Sequence, residues 1–520
     1  MARHDTWFLP RQKRQLTLMV EYVSALNNLV VGKKWSGNHE LQYEYEDEIS
    51  RLGLRNTGNL RSREENLGGG GVRTIYAQLK TLGFIFEESR TKIVRLTYAG
   101  EALISGRQSF VDVMRHQLIR FQYPSNQFYG GNSLVDHRFN VHPFWLLLKL
   151  LADDRILYLN VDEIKKIIII EADSDSEEKY EYLVSRIMEY RNIGDEMLGY
   201  SLEDKGQVIH TNDRGNVVSD KFYDIANTFL AYLDATQYIE RYDKKVTLSE
   251  LRKEEVKEIV KEPIGFISSP ELHENFQRKY GCDKFHSSDR RRFDNNTQSA
   301  SEIREQRILN AFVMESMQAP IRSISSELIT KLSMTTGYRE DQVETVVRRA
   351  FPNGALNGFL ARYREMAFAG RNEATDFEVA TRELFDELFG FKAEHVGPQG
   401  NTPDVYVESE QDEYCGILDN KAYASYSISG DHHRRMVDVY IPRYSHERFP
   451  LKFFAYIAGG FGSNINSQIQ SIYDETEVPG CAITVDQVIE MINRNETQPY
   501  THEKIRNIFS VNRRVMVADL

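Results

Sequence analysis

Apolar and polar residues follow two different periods in the last third of the chain. Across residues 376–389 the apolar side chains recur every three or four positions, which predicts an amphipathic helix that ends at Gly390. Three later runs are typical of buried strands, namely residues 405–407, 414–418 and 453–458. A turn-rich stretch at 397–401 separates the helix from the first of these strands. The pattern predicts an α/β core.

A different pattern occupies residues 71–103. A helix over 71–83 is followed by short strands at 84–86 and 93–96, joined by a turn at 89–92, and then by a second helix. This order is typical of a winged helix, in which Arg73 and Gln78 of the first helix face a DNA major groove. We expect DNA contacts from Arg61, Arg63, Arg73, Thr74, Gln78, Lys80, Arg90 and Lys92. The alternative is a winged helix that contacts only protein.

The same unit is predicted to recur before residue 260. Residues 144–151 form a second helix, followed by short segments at 157–159 and 162–164. Residues 222–233 form a third, followed by a hairpin around residues 242–243 and a further helix capped by Ser249. Residues 263–300 are predicted to be a boundary, in which the basic triplet 290–292 either contacts DNA phosphates or is simply solvated.

Composition limits the class of protein. A chain of 520 residues with 41% hydrophobic and 27% charged residues predicts two to four globular domains. No apolar run approaches the ~20 residues of a membrane span, and no export signal opens the chain, so we expect a cytoplasmic protein without a membrane partner. The three cysteines lie far apart, which indicates neither a disulfide framework nor a zinc site.

Net charge alone argues against a DNA-binding protein, because it is −12. The charge is uneven, however. Residues 1–100 hold 15 Lys and Arg against 11 Asp and Glu, a local excess of positive charge. Local positive surface, rather than the total, governs contact with phosphate.

Asp404, and Asp419 fifteen residues later, carry the candidate chemistry. Carboxylates are hard ligands that can share one Mg²⁺, and we expect the metal ligands among Asp404, Asp419 and Asn420. Because alternate residues of a strand share a face, Lys421 points to the same side as Asp419 and can orient a water for attack on a phosphodiester. Glu378 on the preceding helix is a fourth candidate catalytic residue.

Other interpretations compete with this one. An isolated Asp-x-Lys on a strand is more often a surface ion pair. His432 and His433 lack ligands at metal spacing and are predicted to lie in a solvated loop or helix start, and His395 either touches phosphate or packs in a turn. The glycines at 68–71 lack the frame of a nucleotide-binding loop.

The flanks of these residues resemble the FokI-type cleavage domain of type IIS restriction endonucleases, which belongs to the PD-(D/E)xK superfamily. The resemblance covers roughly residues 340–520 and is carried by Pro403-Asp404, Asp419-Asn420-Lys421-Ala422-Tyr423, residues 390–397, residues 453–461 and residues 480–485. The layout of the whole chain resembles the AlwI-type group. The resemblance implies Asp404, Asp419 and Lys421 as the catalytic set, with Glu378 beside them.

Together these observations predict a multidomain α+β protein. A helical, winged-helix-like DNA-recognition region (residues 1–140, with further such subdomains at 141–262) precedes a linker with connecting helices (263–335) and an α/β nuclease domain (336–520). The expected function is Mg²⁺-dependent cleavage of double-stranded DNA outside a short asymmetric site, with a transient homodimer or second subunit for the other strand. The alternatives are a monomeric nicking endonuclease and a non-catalytic DNA-binding regulator.

Overall fold

The chain forms two compact units in a computed structural model. The first comprises residues 1–239, 252–314 and 323–353, and the second comprises 240–251, 315–322 and 354–520. The structure describes every residue except 1–4, 11–13, 55–69, 127–134, 213, 243–244, 294–299, 398–399 and 447.

The first unit is mainly helical. Its helices are α1 (Met19–Leu29), α2 (His39–Arg51), α3 (Gly70–Thr81), α4 (Tyr98–Ser105), α5 (Phe110–Ile119), α6 (Pro143–Ala152), α7 (Val161–Glu163), α8 (Ile169–Glu171), α9 (Glu177–Ile193), α10 (Lys221–Asp234), α11 (Lys253–Ile259), α12 (His273–Tyr280), α13 (Ala300–Gln318, continuing into the second unit), α14 (Ser326–Thr336) and α15 (Glu340–Ala350). Its strands are β1 (Ile85–Glu87), β2 (Val94–Leu96), β3 (Leu159–Asn160), β4 (Ile209–Thr211) and β5 (Val217–Asp220).

The predicted helix, hairpin and helix are present at α3, β1, β2 and α4. Helix α3 buries Val72, Ile75 and Leu79 on one stripe, as its 3.6-residue period requires. Strands β1 and β2 pair antiparallel, with Ile85 opposite Leu96. Thr97 then caps α4 by accepting a hydrogen bond from the Gly100 amide at 3.0 Å. The order of elements is as predicted, and the winged-helix assignment itself stays a prediction.

Two local predictions in the first 260 residues are wrong. After β3 the chain is helical, running through α7, a π-helical stretch (Ile164–Ile168) and α8, so no hairpin follows the second predicted helix. The Asn160 side chain caps this helical stretch by accepting from the Glu163 amide at 2.8 Å, which explains why the chain turns helical there. Ser249 does not cap α11, because its hydroxyl donates to Glu240 Oε1 at 2.9 Å.

The second unit is built on a mixed sheet. Its strands are β6 (Ile239–Tyr242), β7 (Lys245–Leu248), β8 (Lys392–His395), β9 (Val405–Ser409), β10 (Tyr414–Asn420), β11 (Leu451–Ala458), β12 (Gly480–Thr484) and β13 (Arg513–Arg514). Its helices are α16 (Asn357–Met366), α17 (Ala374–Glu387), α18 (Gly430–Arg434), α19 (Ile441–Tyr444), α20 (Ile465–Thr476), α21 (Val485–Thr497) and α22 (His502–Phe509).

Six strands form the sheet in the order β13-β12-β11-β10-β9-β8. Strands β10 to β13 are parallel to one another, whereas β9 pairs antiparallel with β10, and β8 pairs antiparallel with β9 at the edge of the sheet. The predicted helix and strands of this region are confirmed. Strands β8, β12 and β13 were not predicted; β13 is only two residues long, and the burial of β8 shows no apolar face.

The sheet separates two apolar clusters, so both of its faces are covered. Val407 and Leu418 point into one cluster, which includes residues of α16, α17, α21 and α22. Tyr406 and Ile417 point into the other, which includes residues of α19 and α20. Strict alternation along β9 and β10 therefore decides on which side of the sheet each polar residue near the strand ends is placed.

Membrane-spanning helices and cysteine pairing were two points on which the sequence made a prediction. None of the helices within the described ranges has the length and apolarity needed to cross a bilayer. Cys282, Cys415 and Cys481 are all buried free thiols.

Candidate active site

Asp404, Asp419 and Lys421 meet at the ends of β9 and β10. Asp404 lies just before β9, and its amide donates to the Leu418 carbonyl at 3.2 Å, which sets it across from Asp419. Lys421 Nζ lies 2.8 Å from Asp419 Oδ2 and 3.8 Å from Asp404 Oδ2. One ammonium group is thus shared by two carboxylates on one face of the sheet.

Asn420 lies between Asp419 and Lys421 in the chain, and its side chain points to the opposite face of the sheet. Its side-chain Nδ2 donates to the Thr381 hydroxyl of α17 and lies 3.4 Å from the Phe377 carbonyl. Its backbone amide donates to Asp404 Oδ2 at 2.6 Å. The geometry therefore makes Asn420 a positioning residue, which holds Asp404 through its backbone and anchors β10 to α17 through its side chain. Its side chain is directed away from a metal shared by the two aspartates.

Glu378 of α17 lies near Asp404, and its charge acts on that carboxylate. His395, at the end of β8, donates from Nε2 to Glu378 Oε2 at 2.8 Å, so this histidine is on a strand rather than in the turn. Gly397 lies next to the Glu378–His395 pair. A methyl group at Gly397 would lie 3.1 Å from Glu378 Oε2 and 3.4 Å from His395 Nε2, so a larger residue there would press on this pair.

Burial and charge shape the protonation of the site. Burial raises the pKa of Asp404 well above its usual value, and the neighbouring Asp419 raises it further, while Lys421 opposes the shift. Burial alone would lower the pKa of the Lys421 ammonium, but Asp419 and Asp404 outweigh it and the pKa is raised. Lys421 therefore stays charged beside the two carboxylates that share it.

The site opens into a cavity of about 270 Å³ lined by Asp404, Asp419 and Lys421. His432, Arg435 and Tyr440 line the same cavity, and sequence reasoning missed all three as site residues. His432 lies in α18, which agrees with the predicted helix start, and its Nδ1 lies 2.8 Å from the Tyr426 hydroxyl.

A π-helix brings the other two side chains to the cavity. Arg435 and Tyr440 are the first and last residues of this stretch, which follows α18 directly. π-helical turns are rare and occur frequently at functional sites, and no period in the sequence marks them. The aromatic and basic residues between 432 and 440 were the only available signal.

The donor set fits Mg²⁺ better than a metal held entirely by protein. No group of three or more His, Cys, Asp or Glu side chains arranged to hold a metal occurs in the part of the chain that the structure describes. Mg²⁺ is commonly bound through one or two carboxylates, with waters and substrate phosphates completing the octahedron. The carboxylates of Asp404 and Asp419, which meet in one cavity, match that requirement.

Seven of the eight predicted DNA-contacting residues fall into three groups. Arg73 on α3 and Arg90 and Lys92 in the β1–β2 turn are exposed, whereas Thr74 and Lys80 are half-buried. Lys80 Nζ lies 3.7 Å from Glu87 Oε1, so its charge is partly compensated. Arg61 and Arg63 lie outside the described residues.

The prediction that Gln78 reads bases is wrong. Its side chain is fully buried, and its Nε2 donates to the Tyr232 hydroxyl, which donates in turn to the Pro10 carbonyl at 3.1 Å. Arg73 and Gln78 are also about 140° apart on a helix that advances 100° per residue, so they do not share a face.

Two family models match the chain. The model of the AlwI restriction endonuclease covers residues 80–368, which is more than half of the sequence. The chain belongs to the AlwI restriction endonuclease family. The model of the FokI cleavage domain covers residues 337–516 and contains Asp404, Asp419 and Lys421. The resemblance to type IIS restriction endonucleases with a FokI-type cleavage domain is thereby confirmed.

The chain is also similar to one characterised restriction enzyme. The type II restriction enzyme StsI of Streptococcus sanguinis is 25% identical over 149 residues, which are 26% of this chain and 24% of that protein. The alignment thus spans about a quarter of the length of the relative.

Solved structures were also matched. The restriction endonuclease FokI is 13% identical with a TM-score of 0.29, over 99% of this chain and all of that one. The binding domain of the BpuJ1 endonuclease, in complex with modified DNA, is 12% identical with a TM-score of 0.33, over 54% of this chain and 95% of that one. These scores are too low to support an argument.

Proposed function

We propose that this protein is a type IIS restriction endonuclease. It binds a short asymmetric sequence in double-stranded DNA and hydrolyses phosphodiester bonds a fixed distance outside that sequence with Mg²⁺. The observation that carries the proposal is the cluster of Asp404, Asp419 and Lys421 in one cavity, within the region that matches the FokI cleavage domain.

Asp404 and Asp419 are the residues that would hold the metal. Bound there, Mg²⁺ supplies charge that neutralises the scissile phosphate and lowers the pKa of water. The two aspartates are fixed before any ion binds: the Asn420 amide holds Asp404, and Lys421 holds Asp419. This preorganisation reduces the rearrangement that the reaction requires.

Lys421 orients the attacking water and favours its hydroxide form. Its raised pKa keeps the ammonium charged next to two carboxylates, so it donates hydrogen bonds and does not accept a proton. Glu378, held by His395, faces the same group and is the candidate to receive a proton or to hold a second water. Arg435 lines the cavity as a cation that can contact phosphate oxygens.

Recognition is assigned to the first unit. We propose that α3 and the β1–β2 hairpin act as a winged helix, with Arg73 and Thr74 towards the base edges and Lys80, Arg90 and Lys92 towards phosphates. Arg61 and Arg63 remain candidates for further phosphate contacts. The domain boundaries expected from the sequence, at 140, 262 and 335, are part of the same proposal.

Each chain carries one such cluster in the described ranges, so cutting both strands requires a second copy or another subunit. A transient homodimer on double-stranded DNA is the proposed form. A monomeric nicking endonuclease has the same site and differs only in the number of strands cut. A non-catalytic regulator is disfavoured, because both carboxylates and the lysine are in place.

Incubation of the full-length protein with supercoiled plasmid and Mg²⁺ tests the proposal. Linear products whose sequenced ends lie at one distance from a common short sequence support it. Nicked circles alone establish the nicking activity instead. Intact plasmid after incubation with Mg²⁺, at any protein concentration, contradicts an endonuclease and favours a regulator.

A further inference from the structure

A second charged site lies in the first unit, beside the turn that carries Arg90 and Lys92. Helix α12 and residues 288–292 line a groove of about 440 Å³, which is called the α12 groove below. Both segments belong to the stretch that the sequence predicted to be a boundary or linker. The groove contains Arg278, Lys279 and the triplet Arg290-Arg291-Arg292.

The wall formed by residues 288–292 is fixed rather than loosely attached. The Asp289 side chain is only 1% exposed and lies 3.3 Å from Arg278 and 2.8 Å from Arg291. Arg291 also donates to Glu101 of α4 and, at 3.0 Å, to the Leu96 carbonyl of β2. These bonds attach residues 288–292 to the predicted wing and its following helix, so the basic triplet is not a solvated linker.

The basic residues of the groove are of two kinds: some are paired with carboxylates inside the protein, and others are exposed to solvent. Arg278 and Arg291 are compensated by Glu274, Asp289 and Glu101. Lys279, Arg290 and Arg292 are exposed, and no ion pair is recorded for any of them in the described ranges. Three cations therefore face solvent, Lys279 on α12 and Arg290 and Arg292 on the anchored wall, and their charge is available to a ligand.

The groove is continuous with the predicted wing. Helix α12 packs on β1, and the Ser89 amide in the turn after β1 donates to Glu274 Oε2 of α12 at 2.7 Å. Arg90 and Lys92 extend from that same turn. A ligand in contact with both the turn and the groove meets a row of exposed cations, which matches the regular negative charge of a nucleic acid backbone.

We propose that the α12 groove binds the phosphodiester backbone of double-stranded DNA, with Lys279, Arg290 and Arg292 as the contacting residues. This rests on the proposed function, because it assigns a further part of the same DNA-binding surface. The contacts are electrostatic and independent of sequence. They set affinity and register and carry no base preference.

The test measures the salt dependence of binding by the full-length protein in EDTA, where cleavage does not occur. The probe is a labelled duplex of random sequence, titrated between roughly 50 and 200 mM NaCl. Each phosphate contact contributes about 0.9 to the slope of log K against log salt. The triple variant Lys279→Ala, Arg290→Ala, Arg292→Ala is therefore expected to lose about three units of slope.

A charge-matched control removes three cations of the first unit that do not line the groove: Arg214→Ala, Lys257→Ala and Lys261→Ala. It is expected to keep the wild-type slope. The variant Lys279→Arg, Arg290→Lys, Arg292→Lys retains the charge and is expected to keep the slope as well. Thermal melting checks that the alanine triple is folded, which we expect because the three side chains are exposed.

Equal slopes for the alanine triple and the charge-matched control would overturn the groove assignment while leaving DNA binding intact. A wild-type protein that binds no duplex would overturn both this inference and the proposed function. Loss of slope in the groove triple alone supports the inference. Plasmid cleavage by wild-type protein tests the proposed function separately.

Discussion

The catalytic cavity of the second unit and the α12 groove of the first present charge in opposite ways. In the cavity, two largely buried carboxylates share one lysine, and burial raises the pKa of Asp404. In the groove, three exposed cations stand beside arginines that are already paired. Buried charge is costly and requires specific partners, whereas exposed charge costs little and acts additively. A single change should therefore abolish the chemistry in the cavity and remove only one increment of affinity in the groove.

The largest expected effect is on cleavage. Asp404→Ala and Asp419→Ala each remove half of the carboxylate pair, and we expect both to abolish plasmid cleavage while duplex binding stays near the wild-type level. Binding persists because the proposed recognition residues belong to the other unit. Asp412→Ala, an exposed aspartate in the β9–β10 turn, is the matched control and should cleave normally. Wild-type cleavage by Asp419→Ala would remove the site assignment.

Metal binding has a readout that does not depend on cleavage. A ligand that binds only the folded state stabilises it by about 2.7 kcal/mol at a hundredfold excess over its Kd. Mg²⁺ should therefore raise the melting temperature of the wild-type protein and leave that of Asp419→Ala unchanged. An equal rise in both proteins would place the stabilising ion elsewhere.

The next effect concerns how the cavity is held in place. The Thr381 hydroxyl accepts from Asn420 Nδ2 and lies 3.0 Å from the Tyr363 hydroxyl, in a fully buried position. Thr381→Val removes one partner of Asn420 Nδ2 and the partner of the Tyr363 hydroxyl, so we expect a loss of ~1–3 kcal/mol in stability together with slower cleavage. Thr381→Ser keeps the hydroxyl and should restore both. Chemical denaturation and initial cleavage rates measure the two effects.

Sequence alone predicted the cavity better than the recognition surface, for physical reasons. Along a strand the period of two fixes the face, so the sequence already places Asp419 and Lys421 together. The anchoring of Asn420 to α17 depends on tertiary contact, and the π-helix that carries Arg435 has no periodic signature.

Helix α3 shows a second way in which a prediction from sequence fails. Gln78 follows Ile75 by three residues and precedes Leu82 by four, so the apolar stripe itself already placed it in the core. Its polar side chain suggested base contact, but polarity does not override position on the helix. The groove was missed because Arg291 and Asp289 pair only once the chain is folded, and a run of arginines alone predicts either a contact or a solvated segment.

Gln78 and Arg73 sharpen the same comparison on α3. Gln78→Ala removes a buried hydrogen bond to Tyr232, so it should lower stability by ~1–3 kcal/mol without altering the preferred sequence. Arg73→Ala removes an exposed side chain, so it should lower the melting temperature less than Gln78→Ala does. It should cost ~1–3 kcal/mol on the target duplex and flatten sequence preference. Unaltered preference in Arg73→Ala would assign base reading to a helix other than α3.

The smallest effect is expected at Lys92 in the turn between β1 and β2. Its charge is exposed, and we expect Lys92→Ala to weaken binding to all duplexes alike and to lower the salt slope by about one unit. Lys92 has a φ of +60°, so alanine takes over the same left-handed conformation and adds no new strain to it. Lys92→Arg keeps the charge in that conformation and should keep the slope. If Lys92→Ala and Lys92→Arg lower the slope equally, the effect comes from the shape of the turn, and the turn does not contact phosphate through this charge.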